Sequence, residues 1–332
     1  MKNLLSSSFR GRQAEKSNFL KAGFLLASLV EMTVALAIVM LPISARAEEK
    51  LRVAATLSSF ADLVKQVGGD RVEVSTIAPP RFNPHFIEPR PSDVLKVKKA
   101  DLFVHAGLDL EAWRGPLLDA AGNPRHFPNQ PGELDLSKGI SLLEVPDQPL
   151  SRLMGDIHLF GNPHYWTDPE NGRIMARAIA AKLSEMDPAH TEEYRKNLED
   201  FLGRLDGKIA EWKQLCSSVQ GKEVIGYHNE WPYLMRFTGL RMERFLEPKP
   251  GVPPSPKHIG FLEEHMRQRG IRVIVQPTYF PRASSDVLAK RTGAKAAILC
   301  QNVKELPEAS DYIAFVDYNI RQMVQALEGG NG

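Results

Sequence analysis

The stretch DPAHTEEYRKNLEDFLGRLDGKIAEWKQLC, residues 187–216, decides how this chain is organised. Tyr194, Leu198, Phe201, Leu205, Ile209, Trp212 and Leu215 recur every three or four residues, and charged side chains fill many of the positions between them. That spacing gathers the apolar groups on one stripe of an α-helix and leaves the other faces to water. The pattern predicts one amphipathic helix of about 30 residues, well above the usual globular length. Such a helix is either an ordinary surface helix of one domain or a rigid connector between two lobes. Its place between two series of strands and helices fits the connector better.

On its N-terminal side, Leu51–Leu57, Val72–Ala78 and Leu102–Ala106 are short apolar, partly β-branched runs, with Phe60–Val67 and Ser92–Lys99 reading as helices between them. On its C-terminal side, Glu223–His228, Arg272–Gln276 and Ala296–Cys300 repeat the pattern with helices at Ile259–Gln268 and Ser284–Thr292. Strands alternating with helices imply parallel sheets covered on both faces. The expected fold class is therefore α/β: two βα lobes, 48–186 and 220–332, joined by one long rigid helix at 187–219. The Pro- and Gly-rich patch Glu247–Pro256 reads as a loop of the second lobe.

The first residues read as an export signal. A basic leader with Lys2, Arg10, Arg12, Lys16 and Lys21 precedes a largely apolar run from Ala22 to Ile43, which ends in Ala45-Arg46-Ala47. This is a small-x-small cleavage pattern. The alternative is an uncleaved anchor, since roughly 20 apolar residues span a bilayer; Glu31 within the run argues for cleavage after Ala47. Losing residues 1–47 removes six basic and two acidic side chains, so the net charge of +2 becomes −2. No basic field remains to attract nucleic acid. No cysteine lies near the cut, so a periplasmic protein without a lipid anchor is expected.

The chain has nine histidines and two cysteines. In open parallel sheets, ligands collect beyond the carboxyl ends of the strands. His228 ends a β-like run, His85 follows one, and His164 stands just before Asp168-Pro169, a cap-plus-proline helix start. Pro84 and Pro163 restrict the backbone where His85 and His164 must be aimed. Neutral imidazole is the commonest protein ligand for divalent transition metals, so three converging imidazoles would form a zinc-type site with one position open. His105 lies inside an apolar run and reads as packing, while His190, His258 and His265 carry no partner signal. Cys216 and Cys300 could pair in an oxidising compartment if geometry allowed it.

Several motifs resemble one family. Asn83-Pro84-His85-Phe86-Ile87-Glu88-Pro89-Arg90-Pro91-Ser92-Asp93 is similar to the pattern Asp-Pro-His-x-Tyr-Glu-Pro-x-Pro-Ser-Asp of the solute-binding proteins of zinc and manganese ABC importers, with Asn and Ile replacing Asp and Tyr. Lys99-Ala100-Asp101-Leu102, Gly107 to Trp113, Asn162 to Pro169 and Tyr227 to Leu240 resemble further family blocks, in order, over nearly all of residues 50–330. The resemblance implies two lobes on one long helix with a metal in the cleft, and His85, His164 and His228 as ligands. It implies capture of zinc and delivery to a membrane permease with its ATPase, by a protein expected to act as a monomer. His228 stands where zinc importers tend to have His and manganese importers Glu.

Two departures stand out. Cys300 takes the place of the family's fourth ligand, an Asp after the last strand; a thiolate there would complete a His₃Cys site, and the alternatives are a buried free thiol or a disulfide with Cys216. Gln276 stands where the family often has Glu. The stretch 121–163 holds only His126 and His158, so a His-rich collecting loop is weak, with His158 left as a transient metal contact. Manganese is the alternative cargo. A zinc hydrolase, with Glu88 or Glu230 as base, is the alternative from another class.

Overall fold

A computed structural model describes residues 50–147, 158–249 and 251–329; the expected signal segment lies outside the described residues. The first sheet contains β1 (Leu51–Ala55), β2 (Val72–Thr76), β3 (Leu102–His105) and β4 (Glu133–Asp135), all parallel, in the order β2-β1-β3-β4. The second contains β5 (Glu223–Gly226), β6 (Arg241–Phe245), β7 (Val273–Pro277) and β8 (Lys295–Leu299), also all parallel, in the order β6-β5-β7-β8. The helices are α1 (Ser58–Gly68), α2 (Pro91–Lys99), α3 (Arg114–Ala121), α4 (Pro169–Met186), α5 (Thr191–Cys216), α6 (Pro232–Thr238), α7 (Pro256–Arg269), α8 (Ala283–Thr292) and α9 (Tyr312–Glu328).

The central strands β3, β5 and β7 are buried throughout, as strands covered on both faces must be. Their period of two divides the apolar side chains between two cores. Val224, Val273 and Val275 face a core that continues through Phe201 and Trp212 into Phe60 of α1 and Val53 and Val104 of the first sheet. Ile225 and Ile274 face a smaller core with Leu262 and Leu288, from the helices on the outer side of the second sheet.

Helix α5 is the expected long helix, 26 residues between two single 3₁₀ turns. Tyr194, Phe201, Leu205, Ile209 and Trp212 are buried as the periodicity predicts, joined by Leu202 and Cys216, while Leu198 and Leu215 are half-buried. The stripe packs against α1 and α4 on one side and against α9 on the other. Trp212 Nε1 donates to Asp317 Oδ1 at 2.9 Å, which settles the polar edge of the largest side chain on the stripe. The helix is thus embedded along both lobes rather than spanning between them through solvent.

Two strands lack a signal in the sequence. β4 is three residues long, and β6 (Arg241-Met242-Glu243-Arg244-Phe245) is charged at three of its five positions. Both are edge strands, where charge and brevity discourage pairing with other chains.

Candidate metal centre

The loops that leave the carboxyl ends of the strands meet between the lobes. His85 lies after β2 in a 3₁₀ turn, Pro84–Phe86, capped by Asn83, whose Oδ1 accepts from the His85 backbone N–H at 3.0 Å. Trp113 Nε1 donates to Pro84 O at 2.8 Å and fixes the same turn from β3's side. His164 immediately precedes the turn that leads into α4, where Asp168 Oδ1 accepts from Glu170 N at 2.8 Å as the cap-plus-proline pattern predicts.

His85 and His164 are both buried, and their Nε2 atoms lie 3.1 Å apart. His164 Nδ1 is 2.9 Å from Asn162 Oδ1, which also accepts from the His164 backbone N–H at 3.1 Å. Asn162 Nδ2 is committed to Glu144 Oε2 and Asn229 O, so its other end is the acceptor. The His164 proton therefore sits on Nδ1, and Nε2 carries a lone pair toward His85. Burial, reinforced by the neighbouring His158 and His228, holds the His85 pKa well below the usual imidazole range. Burial does the same at His164, with His85, His158 and His228 adding to it. Both rings are thus neutral, the state a metal requires.

His158 joins this pair. One ligand nitrogen from each of His85, His158 and His164 can be chosen so that all three lie within 4.8 Å of one another. His158 Nδ1 is 3.1 Å from Asp109 Oδ1, and Asp109 Oδ2 accepts from Leu159 N at 2.8 Å. Burial raises the Asp109 pKa, but these bonds outweigh it and hold the carboxyl below its ordinary range.

His228 is buried beyond the end of β5 and comes from the second lobe. Its Nδ1 lies 2.8 Å from Glu247 Oε2, and its ring packs against Phe280 with centroids 6.0 Å apart. A carboxylate on the far nitrogen fixes the tautomer and aims the near one, a common arrangement around metal-ligating imidazoles.

Cys300 does not belong to the His85–His158–His164 group. Its backbone N–H donates to Asn319 Oδ1 at 2.9 Å and its carbonyl accepts from Asn319 Nδ2 at 2.8 Å, which ties the end of β8 to α9. Burial pushes its thiol strongly up, with Glu305 and Glu308 adding to the effect. Cys216 is buried at the end of α5, its thiol pushed up to about 11 by burial, and both cysteines are free.

Gln276 is occupied elsewhere: it accepts from Ser285 Oγ, and its Nε2 donates to Phe280 O at 2.8 Å. It thereby holds the loop that brings Phe280 against His228. Glu230 is fully buried, accepts from Tyr279 Oη, and receives Gln301 Nε2 at 3.1 Å. Glu88 is exposed.

Sequence reasoning missed Asp109, Asn162 and Glu247 as supports of the site. Asn162 had a visible signal, since it stands two residues before a candidate ligand. Asp109 and Glu247 are 49 and 19 positions from the rings they hold, and nothing local marks them.

A family model described as zinc-uptake complex component A, periplasmic, matches residues 53–326. The chain belongs to that family. It is similar to the manganese ABC transporter substrate-binding lipoprotein PsaA of Streptococcus anginosus, 28% identical over 293 residues that cover 84% of this chain and 90% of the relative. It is also similar to the high-affinity zinc uptake system protein ZnuA of Bacillus subtilis (strain 168), 25% identical over 254 residues that cover 76% of this chain and 78% of the relative. The crystal structure of ZnuA has the same fold, with a TM-score of 0.70 at 24% identity, over 84% of this chain and 99% of that one. The family's architecture agrees with the two parallel sheets, the long helix and the position of the histidines between them.

Proposed function

We propose that this protein captures zinc outside the cytoplasm and hands it to a membrane permease driven by an ATPase. His85, His164 and His228 are the ligands in this reading. The observation that carries it is the 3.1 Å approach of two buried Nε2 atoms, His85 to His164. Tetrahedral zinc at about 2.0–2.1 Å from each nitrogen would set two ligands about 3.3 Å apart, so the pair is close to a bound geometry before any metal arrives. Imidazole ligands suit zinc, and manganese prefers carboxylate and water.

Manganese is the second reading, because a relative of similar coverage is named as a manganese carrier. Competitive titration of the mature protein with zinc and manganese decides between them. Tight zinc binding with weak manganese competition supports the proposal; preference for manganese, or no binding of either, overturns it. The expected role of Cys300 as fourth ligand enters the same titration through Cys300→Ser. The relative is by name a lipoprotein, whereas the unanchored form expected here has the mass of a chain beginning after Ala47; mass spectrometry of the membrane and soluble fractions distinguishes the two.

A further inference from the structure

His158 is not placed as a solvated or core-packing histidine would be. Its ring stacks on His85 with centroids 5.0 Å apart and meets His164 edge-on at 5.6 Å. Asp109 engages Nδ1 and also holds the adjacent Leu159 N–H, so the ring is clamped by a carboxylate that grips the chain at two points. The other ring nitrogen, Nε2, is buried and has no hydrogen-bond partner. With a carboxylate on Nδ1, the proton resides there and Nε2 presents a bare lone pair. A buried lone pair without a partner is unfavourable unless something electropositive meets it. The neighbouring rings offer the same kind of donor atom, and the three converge within 4.8 Å.

We infer that His158 is the fourth ligand of the captured metal, oriented by Asp109, so that the site closes with four imidazoles and no thiolate. The inference rests on the zinc-capture reading above and gives His158 the place the sequence suggested for Cys300. Its charge balance is favourable. Four neutral imidazoles leave both positive charges of the metal uncompensated, and Asp109 and Glu247 supply two carboxylates, each one ring away. Four nitrogen donors also fill a tetrahedron, leaving no position for the reactive water of a catalytic zinc site.

The test uses the mature protein, with cobalt(II) as a spectroscopic substitute and zinc for affinity. Three proteins are compared: wild type, His164→Ala and His158→Gln. Glutamine keeps a donor for Asp109 and so guards the fold. We expect the wild type to give the intense visible absorption of a tetrahedral cobalt site. In His158→Gln we expect that spectrum to change, zinc affinity to fall at least about tenfold, and zinc X-ray absorption to count one imidazole fewer. A wild-type spectrum and affinity retained in His158→Gln, with both lost in His164→Ala, would overturn this inference alone. No cobalt or zinc binding by the wild type would overturn the capture reading and this inference with it. Should His158→Gln be unfolded by circular dichroism, the imidazole count of the wild type decides: four supports the inference, and three with a sulfur overturns it.

Discussion

His85 and His164 are 79 residues apart in sequence, yet both are buried and their Nε2 atoms lie 3.1 Å from each other. In the metal-free protein a proton on His85 Nε2 would make this approach a hydrogen bond to the lone pair of His164 Nε2. A metal bound by both nitrogens would take the place of that proton. Replacing either residue with Ala should lower zinc affinity by on the order of 100-fold or more, beyond the 10–100-fold typical of losing a residue that merely supports a ligand. Zinc titration against a chelator of known affinity checks this.

Glu247 acts through His228. Removing its carboxylate in Glu247→Ala should free the His228 ring to rotate and lower zinc affinity by about 10–100-fold. Glu247→Gln retains an acceptor and should lose less. The same titration, with circular dichroism to show that the fold is retained, separates the two variants.

The buried state of His85 and His164 sets the pH behaviour. Their folded pKa values lie below the ordinary imidazole value, so at pH 7 both are already neutral and should release almost no protons when zinc binds. Calorimetry in buffers of different ionisation enthalpy measures that number. In the metal-free protein the unfolded rings titrate near 6.5. Between that value and the lower folded ones the unfolded chain binds more protons. The contribution of these rings to stability is therefore full above about pH 6.5 and is lost as the pH falls toward the folded values. Thermal unfolding of the metal-free protein from pH 8 to pH 5 should show it, with a smaller loss in the His85→Ala and His164→Ala variants.

Cys300 is held protonated by burial and anchored to α9 through its backbone. It is also absent from the group of ligand atoms that His85, His158 and His164 bring together. Cys300→Ser should therefore change zinc affinity by less than about threefold, well short of the about 10-fold that 1.4 kcal/mol represents. It should nevertheless destabilise the fold by about 1–3 kcal/mol, because a buried hydroxyl lacks the packing of sulfur. Affinity and urea unfolding measured on one preparation test both statements.

The lobes are bonded across the cleft floor. Trp166 Nε1 donates to Gln301 O at 2.7 Å, Ser58 Oγ to Val303 O at 2.7 Å, and Tyr312 Oη to Trp166 O at 2.8 Å. With α5 embedded along both lobes, zinc binding should leave the radius of gyration nearly unchanged in small-angle scattering. A marked compaction would contradict this.

The sequence by itself determined the elements whose signal is local. The stripe from Tyr194 to Trp212 specified α5 because helical spacing is a property of neighbouring residues. Asp168-Pro169 marked the start of α4 for the same reason, and short apolar runs marked the buried central strands. It also singled out His85, His164 and His228, since each stands where the chain leaves one element for another. The tertiary structure alone decided the edge strand β6, whose charged residues carry no apolar pattern. It alone showed that α5 is embedded rather than free-standing, and it brought His158, not Cys300, against His85 and His164. Those outcomes depend on contacts such as Asp109 with His158 and Asn319 with Cys300. Hydrogen bonds between residues distant in sequence exist only in the packed chain, and they leave no periodicity from which they could be read.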